Sequence, residues 1–163
     1  MESRTARLNL HAIDEFEARR IHDRVPQSGD AWTARLPVRR GPGCHRQPSA
    51  HYRAERRAAS VRLLPDWRQS DGVAIGGVGF KGPPYGGVVE IGYGLVPSAR
   101  GHGYATEALA TLVKIAAGLG MTTIRADTDL DNVASQRTLE HAGFYQVEAD
   151  SELCYYEAQV QTV

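Results

Sequence analysis

The chain has 163 residues, 42% of them hydrophobic, with 19 Lys+Arg against 19 Asp+Glu and a formal net charge of zero. That length suits one domain with a single core, here residues 1–163, and the even charge argues against nucleic acid as the main partner. The apolar residues are too scattered for a membrane span, and no N-terminal apolar run resembles a signal peptide, so a cytoplasmic protein is expected. Cys44 and Cys154 form no disulfide framework, and no metal site is expected. Only Lys81 and Lys114 are lysines, and the other 17 basic residues are arginine, a skew expected of a GC-rich bacterial genome.

Residues 7–13 alternate and read as a first strand. Asp14 can cap a helix running to about Val25 and ended by Pro26. The segment 35–68 breaks from this pattern. It is irregular and Arg-rich, with nine arginines against Glu55 and Asp66 as its acids. Residues 50–59 can form a short helix and 61–64 a strand. The basic tract fits a solvated surface, an anionic substrate or partner site, or an abnormal segment such as a shifted reading frame. Its composition buries little surface to offset ordering entropy, so poor order is expected there.

Ser70-Asp71-Gly72 signals a hairpin turn before a strand at 73–80, and a Gly/Pro loop leads to the next strand at 88–95. A helix at 104–119 carries Ala105, Ala108, Leu109, Leu112, Ala116 and Leu119 on one face, with Gly120 as its stop. A strand at 123–127 precedes a second capped helix. Asp131 or Asn132 serves as its N-cap, Ala134, Leu139 and Ala142 share its apolar face, and Gly143 supplies the left-handed stop. Segments 145–148 and 153–157 read as closing strands, and the alternation of strands with helices implies an α/β layered fold.

The junction of the 88–95 strand with the 104–119 helix carries the chemistry. Loop glycines let backbone approach a ligand closely, and a helix N-terminus offers unpaired N–H groups, so the two together suit a pyrophosphate. No Lys follows, as a P-loop would require, and Gly101-His102-Gly103-Tyr104-Ala105-Thr106 fails the dinucleotide pattern at its last position. Arg100-x-x-Gly103-x-Ala105 resembles the Arg/Gln-x-x-Gly-x-Gly/Ala motif of the GCN5-related N-acetyltransferases. The segment from Asn132 to Gly143-Phe144 resembles that family's second cofactor motif. Glu90-Ile91-Gly92-Tyr93 resembles its Rim-type branch, which includes the ribosomal-protein N-terminal acetyltransferases. The resemblance covers residues 73–156.

It implies a mixed, mostly antiparallel twisted sheet flanked by helices, with acyl-CoA bound at the splay after the fourth strand. It also implies acetyl transfer from acetyl-CoA to a primary amine, either a protein N-terminus or a small-molecule amine, by a monomer or homodimer. Leu95 and Val96 would pair with the pantetheine arm, one N–H facing the thioester carbonyl. Arg100, Gly101, His102, Gly103, Tyr104, Ala105 and Thr106 would hold the pyrophosphate, and Asn132 would bond the pantetheine amide. Many relatives place a Tyr seven residues after that Asn, where this chain has Leu139. Rim-type relatives carry Ser three residues after it, as Ser135 does here, near the sulfur. Ser135 is equally a helix N3 residue tolerated near a cap.

Glu90 is the candidate base. Glu90, Gly92 and Gly94 share one strand face, and the glycines leave room beside the carboxylate. The bland alternative is a solvated strand glutamate. The side chain of His102 occupies a variable motif position and is expected to face solvent. Tyr93, Tyr104, Tyr145, Tyr155 and Tyr156 read as packing residues. A second class of function stays open: an acyl-CoA-binding sensor or catalytically inactive binding module of the same fold.

Overall fold

The structure is a computed structural model that describes residues 2–11, 15–23, 25–28, 64–68 and 74–160. Asp14, Ser70-Asp71-Gly72 and most of the Arg-rich segment lie outside the described residues. Eight strands form one sheet: β1 (Glu2–Arg4), β2 (Leu8–His11), β3 (Leu64–Arg68), β4 (Ala74–Phe80), β5 (Val88–Leu95), β6 (Thr123–Asp129), β7 (Tyr145–Ala149) and β8 (Leu153–Gln159). Their spatial order is β1-β2-β3-β4-β5-β6-β8-β7. The helices among the described residues are α1 (Glu15–Asp23), α2 (Tyr104–Gly118) and α3 (Val133–His141). The short β1 was not visible as a periodic pattern, so the strand leading to the glycine loop stands fifth in the chain.

All pairings are antiparallel except β5 with β6. That parallel ladder has three rungs, Val88 with Thr123, Val89 with Ile124 and Glu90 with Arg125. Beyond Glu90 the two strands part. β5 continues against β4 to Leu95, and β6 continues against β8 to Asp129. An opening is thus built into the middle of the sheet.

The core lies between α2, α3 and one sheet face. Val89, Ile91, Ile124 and Ala126 supply the sheet side, and Ala108, Leu109, Leu112, Ala116 and Leu139 supply the helices. Two expected core positions are corrected. Leu119 is half exposed because α2 ends one residue earlier, and Ala134 is exposed in the first turn of α3, leaving Leu139 as that helix's buried anchor. Gly120 and Gly143 do adopt the left-handed conformation, with φ of 77° and 91°. Buried Cys154 on β8 is a free thiol.

Gly76 and Gly94 lie on β4 and β5 beside the opening, in opposite situations. A Cβ at Gly76 would come within 2.3 Å of the Gly94 carbonyl oxygen and 2.6 Å of Leu95 Cδ2. A Cβ at Gly94 would meet nothing within 4 Å. Gly76→Ala should therefore destabilise the chain by about 2 kcal/mol or more in urea unfolding, whereas Gly94→Ala should cost under about 1 kcal/mol. Equal costs would show that β4 and β5 do not approach each other this closely.

Candidate functional site

The glycine loop begins where β5 stops. A single 3-10 turn at Pro97–Ala99 buries Ala99, and Arg100 then returns to extended backbone. Gly101 and Gly103 have φ of 77° and 76°, a conformation that side chains disfavour. Gly103 is the N-cap of α2 and supplies no side-chain cap. The Gly103 carbonyl accepts from Glu107 N–H at 3.1 Å, and the amides of Tyr104, Ala105 and Thr106 lie ahead of that first intrahelical bond. A Cβ at Gly101 would meet nothing within 4 Å, so the loop faces open space. Arg100 is exposed, and its Nε donates to the Leu95 carbonyl at 3.3 Å.

A second cation stands beside this loop. Arg7, from the β1–β2 turn, donates through Nη1 to the His102 carbonyl at 2.9 Å and lies 4.8 Å over the Tyr104 ring. It also pairs with Glu107 at 2.7 Å. Glu107 accepts further from the Arg7 backbone N–H at 2.9 Å and from the Thr5 hydroxyl. Sequence reasoning missed Arg7, because 95 residues separate it from His102 and no local pattern joins them. The His102 ring is exposed, stacks on Tyr104 at 5.8 Å and meets the Arg100 carbonyl at 2.7 Å through Nδ1.

The register assigns the strand amides. Lys81 N–H donates to the Glu90 carbonyl at 2.7 Å, and Val96 N–H donates to the Ile75 carbonyl at 2.8 Å. In an antiparallel ladder such pairs alternate, so the even-numbered amides of β5 point to β4. The amides of Tyr93 and Leu95 point the other way, past the last rung with β6, into the opening. Of Leu95 and Val96, then, it is Leu95 whose N–H faces that space.

The two faces of β5 carry different chemistry. On the helix side, Tyr93 brings its phenol to Ser135, with 2.5 Å between hydroxyl oxygens and 3.1 Å to the Ser135 carbonyl. Asn132 is the N-cap of α3, its Oδ1 accepting from Ser135 N–H at 3.2 Å. That bond uses the Asn132 carbonyl oxygen and leaves its NH₂ as the group able to donate elsewhere. Tyr93 does pack against the core, as read from sequence, but its hydroxyl has this additional contact. Leu139, at the position where relatives carry Tyr, is fully buried.

On the other face, Glu90 meets Lys81 Nζ at 2.7 Å, and the same ammonium bonds Asp127. Lys81 follows β4, Glu90 sits on the last rung, and Asp127 lies on β6 two residues beyond its rung partner Arg125. Burial pushes the Glu90 carboxyl above its usual range, against the pull of Lys81. Burial also raises Asp127, but the Lys81 ammonium and the bond to Glu90 outweigh it and hold Asp127 below its usual range. Burial works to lower Lys81, and the two carboxylates reverse that and raise it. Of the two acids, Glu90 holds a proton more readily, and Asp127 is the fixed anion.

Two further observations bear on whether acetyl-CoA fits. The open space over Gly101 and Gly94 leaves room along the loop and strand for a ligand's backbone-hugging approach. The buried Thr128 Oγ1, on β6 past its last rung with β5, has no hydrogen-bond partner among the described residues. These features fit an extended pantetheine arm ending in a pyrophosphate. No cluster of metal-ligating side chains occurs among the described residues. An open groove lined by Arg4, Ala110, Lys114 and Leu119 runs between β1 and α2 and includes neither Glu90 nor Ser135.

The comparisons agree with this geometry. Residues 7–145 match the Acetyltransferase (GNAT) domain family, and the chain belongs to it. An uncharacterized N-acetyltransferase, YjdG of Bacillus subtilis (strain 168), is 40% identical over 72 residues, which is 43% of each chain. The match therefore spans less than half the length of that relative. A Vibrio cholerae protein named as a candidate ribosomal-protein-serine acetyltransferase shares the fold with a TM-score of 0.66, 17% identity, and 98% of this chain and 97% of that one covered. An Agrobacterium tumefaciens str. C58 acetyltransferase gives 0.64 at 21% identity, over 96% and 93%. AAC(6')-Ib, in complex with Parmomycin and acetyl-CoA, gives 0.52 at 21% identity, over 61% and 66%.

The Arg7–Glu107 clamp should show in acid. Burial opposes ionisation of Glu107, but the Thr5 hydroxyl and Arg7 prevail and hold its carboxyl below the usual range. A carboxyl depressed on folding stabilises above its unfolded pKa, and that stabilisation fades as pH falls through the folded value. Arg7 is about half exposed, so solvent screens the pair. At neutral pH, Glu107→Gln should lose about 1 kcal/mol in urea unfolding, and the gap to the parent should close below the ordinary carboxylate range. A gap that persists unchanged into strong acid would count against an ionised clamp.

Proposed function

We propose that this chain is an N-acyltransferase that moves acetyl from acetyl-CoA to a primary amine by direct attack in a ternary complex, within the cytoplasm. The observation that carries this reading is the parting of β5 from β6 after Glu90, with the strand running directly into the glycine loop that opens α2. The Arg100–Thr106 amides and Arg100 itself hold the pyrophosphate, with Arg7, paired to Glu107, bracing the loop through the His102 carbonyl. The Leu95 amide donates to the thioester carbonyl, where negative charge develops during attack. Acetyl-CoA, when bound, supplies an activated acyl carbon and a thiolate leaving group.

Glu90 takes the proton that the attacking ammonium must lose, through a water where direct reach is lacking. Its raised pKa brings it closer to neutral pH than Asp127, which stays a fixed anion paired with Lys81. Ser135, with the Tyr93 phenol bonded behind it, is placed on the other face as the donor to the departing sulfur. The Asn132 NH₂ steadies the pantetheine. Membership of the acetyltransferase family and the acetyl-CoA-bound state of AAC(6')-Ib support the cofactor. A protein N-terminus and a small-molecule amine both satisfy the chemistry, and turnover across an amine panel separates an enzyme from a binding module.

Two measurements test the reading. Gly103→Asp places bulk and negative charge at the pyrophosphate loop, and calorimetry should show acetyl-CoA affinity weakened by roughly 2 kcal/mol or more. Unchanged affinity in a folded variant removes the loop from cofactor binding. Glu90→Gln should lower turnover about 10²-fold at neutral pH while leaving acetyl-CoA affinity nearly unchanged. A fully active variant would take Glu90 out of the reaction.

A further inference from the structure

Lys81 holds a primary amine at the opening, against the candidate base. Its side chain runs over Gly92 on β5, where an added Cβ would come within 3.2 Å of Lys81 Cε. Its ammonium then bridges the lips of the opening, bonded to Glu90 Oε1 at 2.7 Å on the β5 side and to Asp127 on the β6 side. Glu90 is on the last rung between those strands, and Asp127 is just past it. The side chain keeps 38% of its exposure, so the amine is held at the opening without being sealed from it. It touches the very carboxylate assigned as base, and on the strand that carries the Leu95 amide.

We propose that Lys81 is itself an acetyl acceptor: a self-acetylation site, modified on Nζ by the chain that carries it. This rests on the reading of the opening as the acetyl-CoA site. Glu90 takes one proton from the Lys81 ammonium. The Nζ lone pair forms the N–C bond to the acyl carbon, the C–S bond breaks with its electron pair moving to sulfur, and the second proton lost by Nζ passes to the departing thiolate. The products are Nε-acetyl-lysine and free CoA, and no oxidant or reductant is involved. Tethering of amine and base in one chain replaces an encounter with a fixed proximity. Acetylation also removes the cation that neutralises Glu90 and Asp127, which leaves two carboxylates facing the opening.

The chain contains its own control, because Lys114 is the only other lysine and sits exposed on α2. The full-length protein is incubated with acetyl-CoA carrying a deuterated acetyl group, digested, and mapped by mass spectrometry. The isotope distinguishes new modification from any acquired during expression. Label at Lys81 is expected to exceed label at Lys114 at least about tenfold, with a rate per chain independent of protein concentration. Excess CoA or Gly103→Asp should suppress labelling of Lys81 and leave the Lys114 background unchanged.

Equal labelling of the two lysines overturns the inference, and so does a rate per chain that rises with protein concentration. A protein that binds acetyl-CoA in calorimetry and acetylates a small amine, yet leaves Lys81 unlabelled, overturns the inference while the functional reading stands. Absence of acetyl-CoA binding overturns both.

Discussion

Everything in the site depends on β5 having two neighbours for only part of its length. From Ile91 to Leu95 one side of the strand is committed to β4, whereas its other side has β6 only from Val88 to Glu90. A backbone amide withdrawn from water without a partner costs about 1–3 kcal/mol, so the Leu95 amide favours a ligand that can supply an acceptor. An extended ligand with amide carbonyls meets that need as an added strand would. The sheet does not close the gap because β6 turns to follow β8 through a full seven-residue register. The same strand then ends in the 3-10 turn and left-handed glycines that set the N-terminus of α2. The direction of the opening and the place of the anion site are thus one constraint.

That constraint also separates the two groups proposed to move protons. Strand alternation sends Glu90 to one face and Tyr93 to the other. The first face collects a charged triad with Lys81 and Asp127, and the second a hydroxyl pair with Ser135. Glu90 and Ser135 therefore approach the opening from opposite faces of the sheet. Within the charged triad, one lysine serves two carboxylates with unequal results: Asp127 is held down and Glu90 stays raised. Two like acids acquire different roles through burial and shared charge.

Features local in the chain were legible in the sequence. The α3 cap joins residues three apart, Asn132 and Ser135, and the glycine loop joins a strand end to a helix start, so short patterns suffice. The strand at Val88–Leu95 has the bounds that its alternation suggests. What sequence could not supply are contacts made by topology. Lys81 and Asp127 are 46 residues apart, Tyr93 and Ser135 are 42 apart, and Arg7 and Glu107 are 100 apart. Each pairs residue types common on any surface, with no periodicity to link them. The choice between Leu95 and Val96 was equally hidden, because it turns on the register with β4.

The charged triad also limits what can serve as an external acceptor. A cationic amine reaching Glu90 and Asp127 must displace the Lys81 ammonium, which is tethered beside them and acts at an effective concentration on the order of millimolar or above. Charge alone gives a free amine no advantage over that resident cation, since both are ammonium groups in the same field. An external acceptor must therefore gain its affinity from contacts beyond the two carboxylates, through the part of the acceptor that is not the amine. Chain neutrality points the same way, since 19 basic and 19 acidic residues provide no long-range field to concentrate cations. On the proposed function, selectivity at this opening resides in the acceptor's shape and its uncharged contacts rather than in its charge.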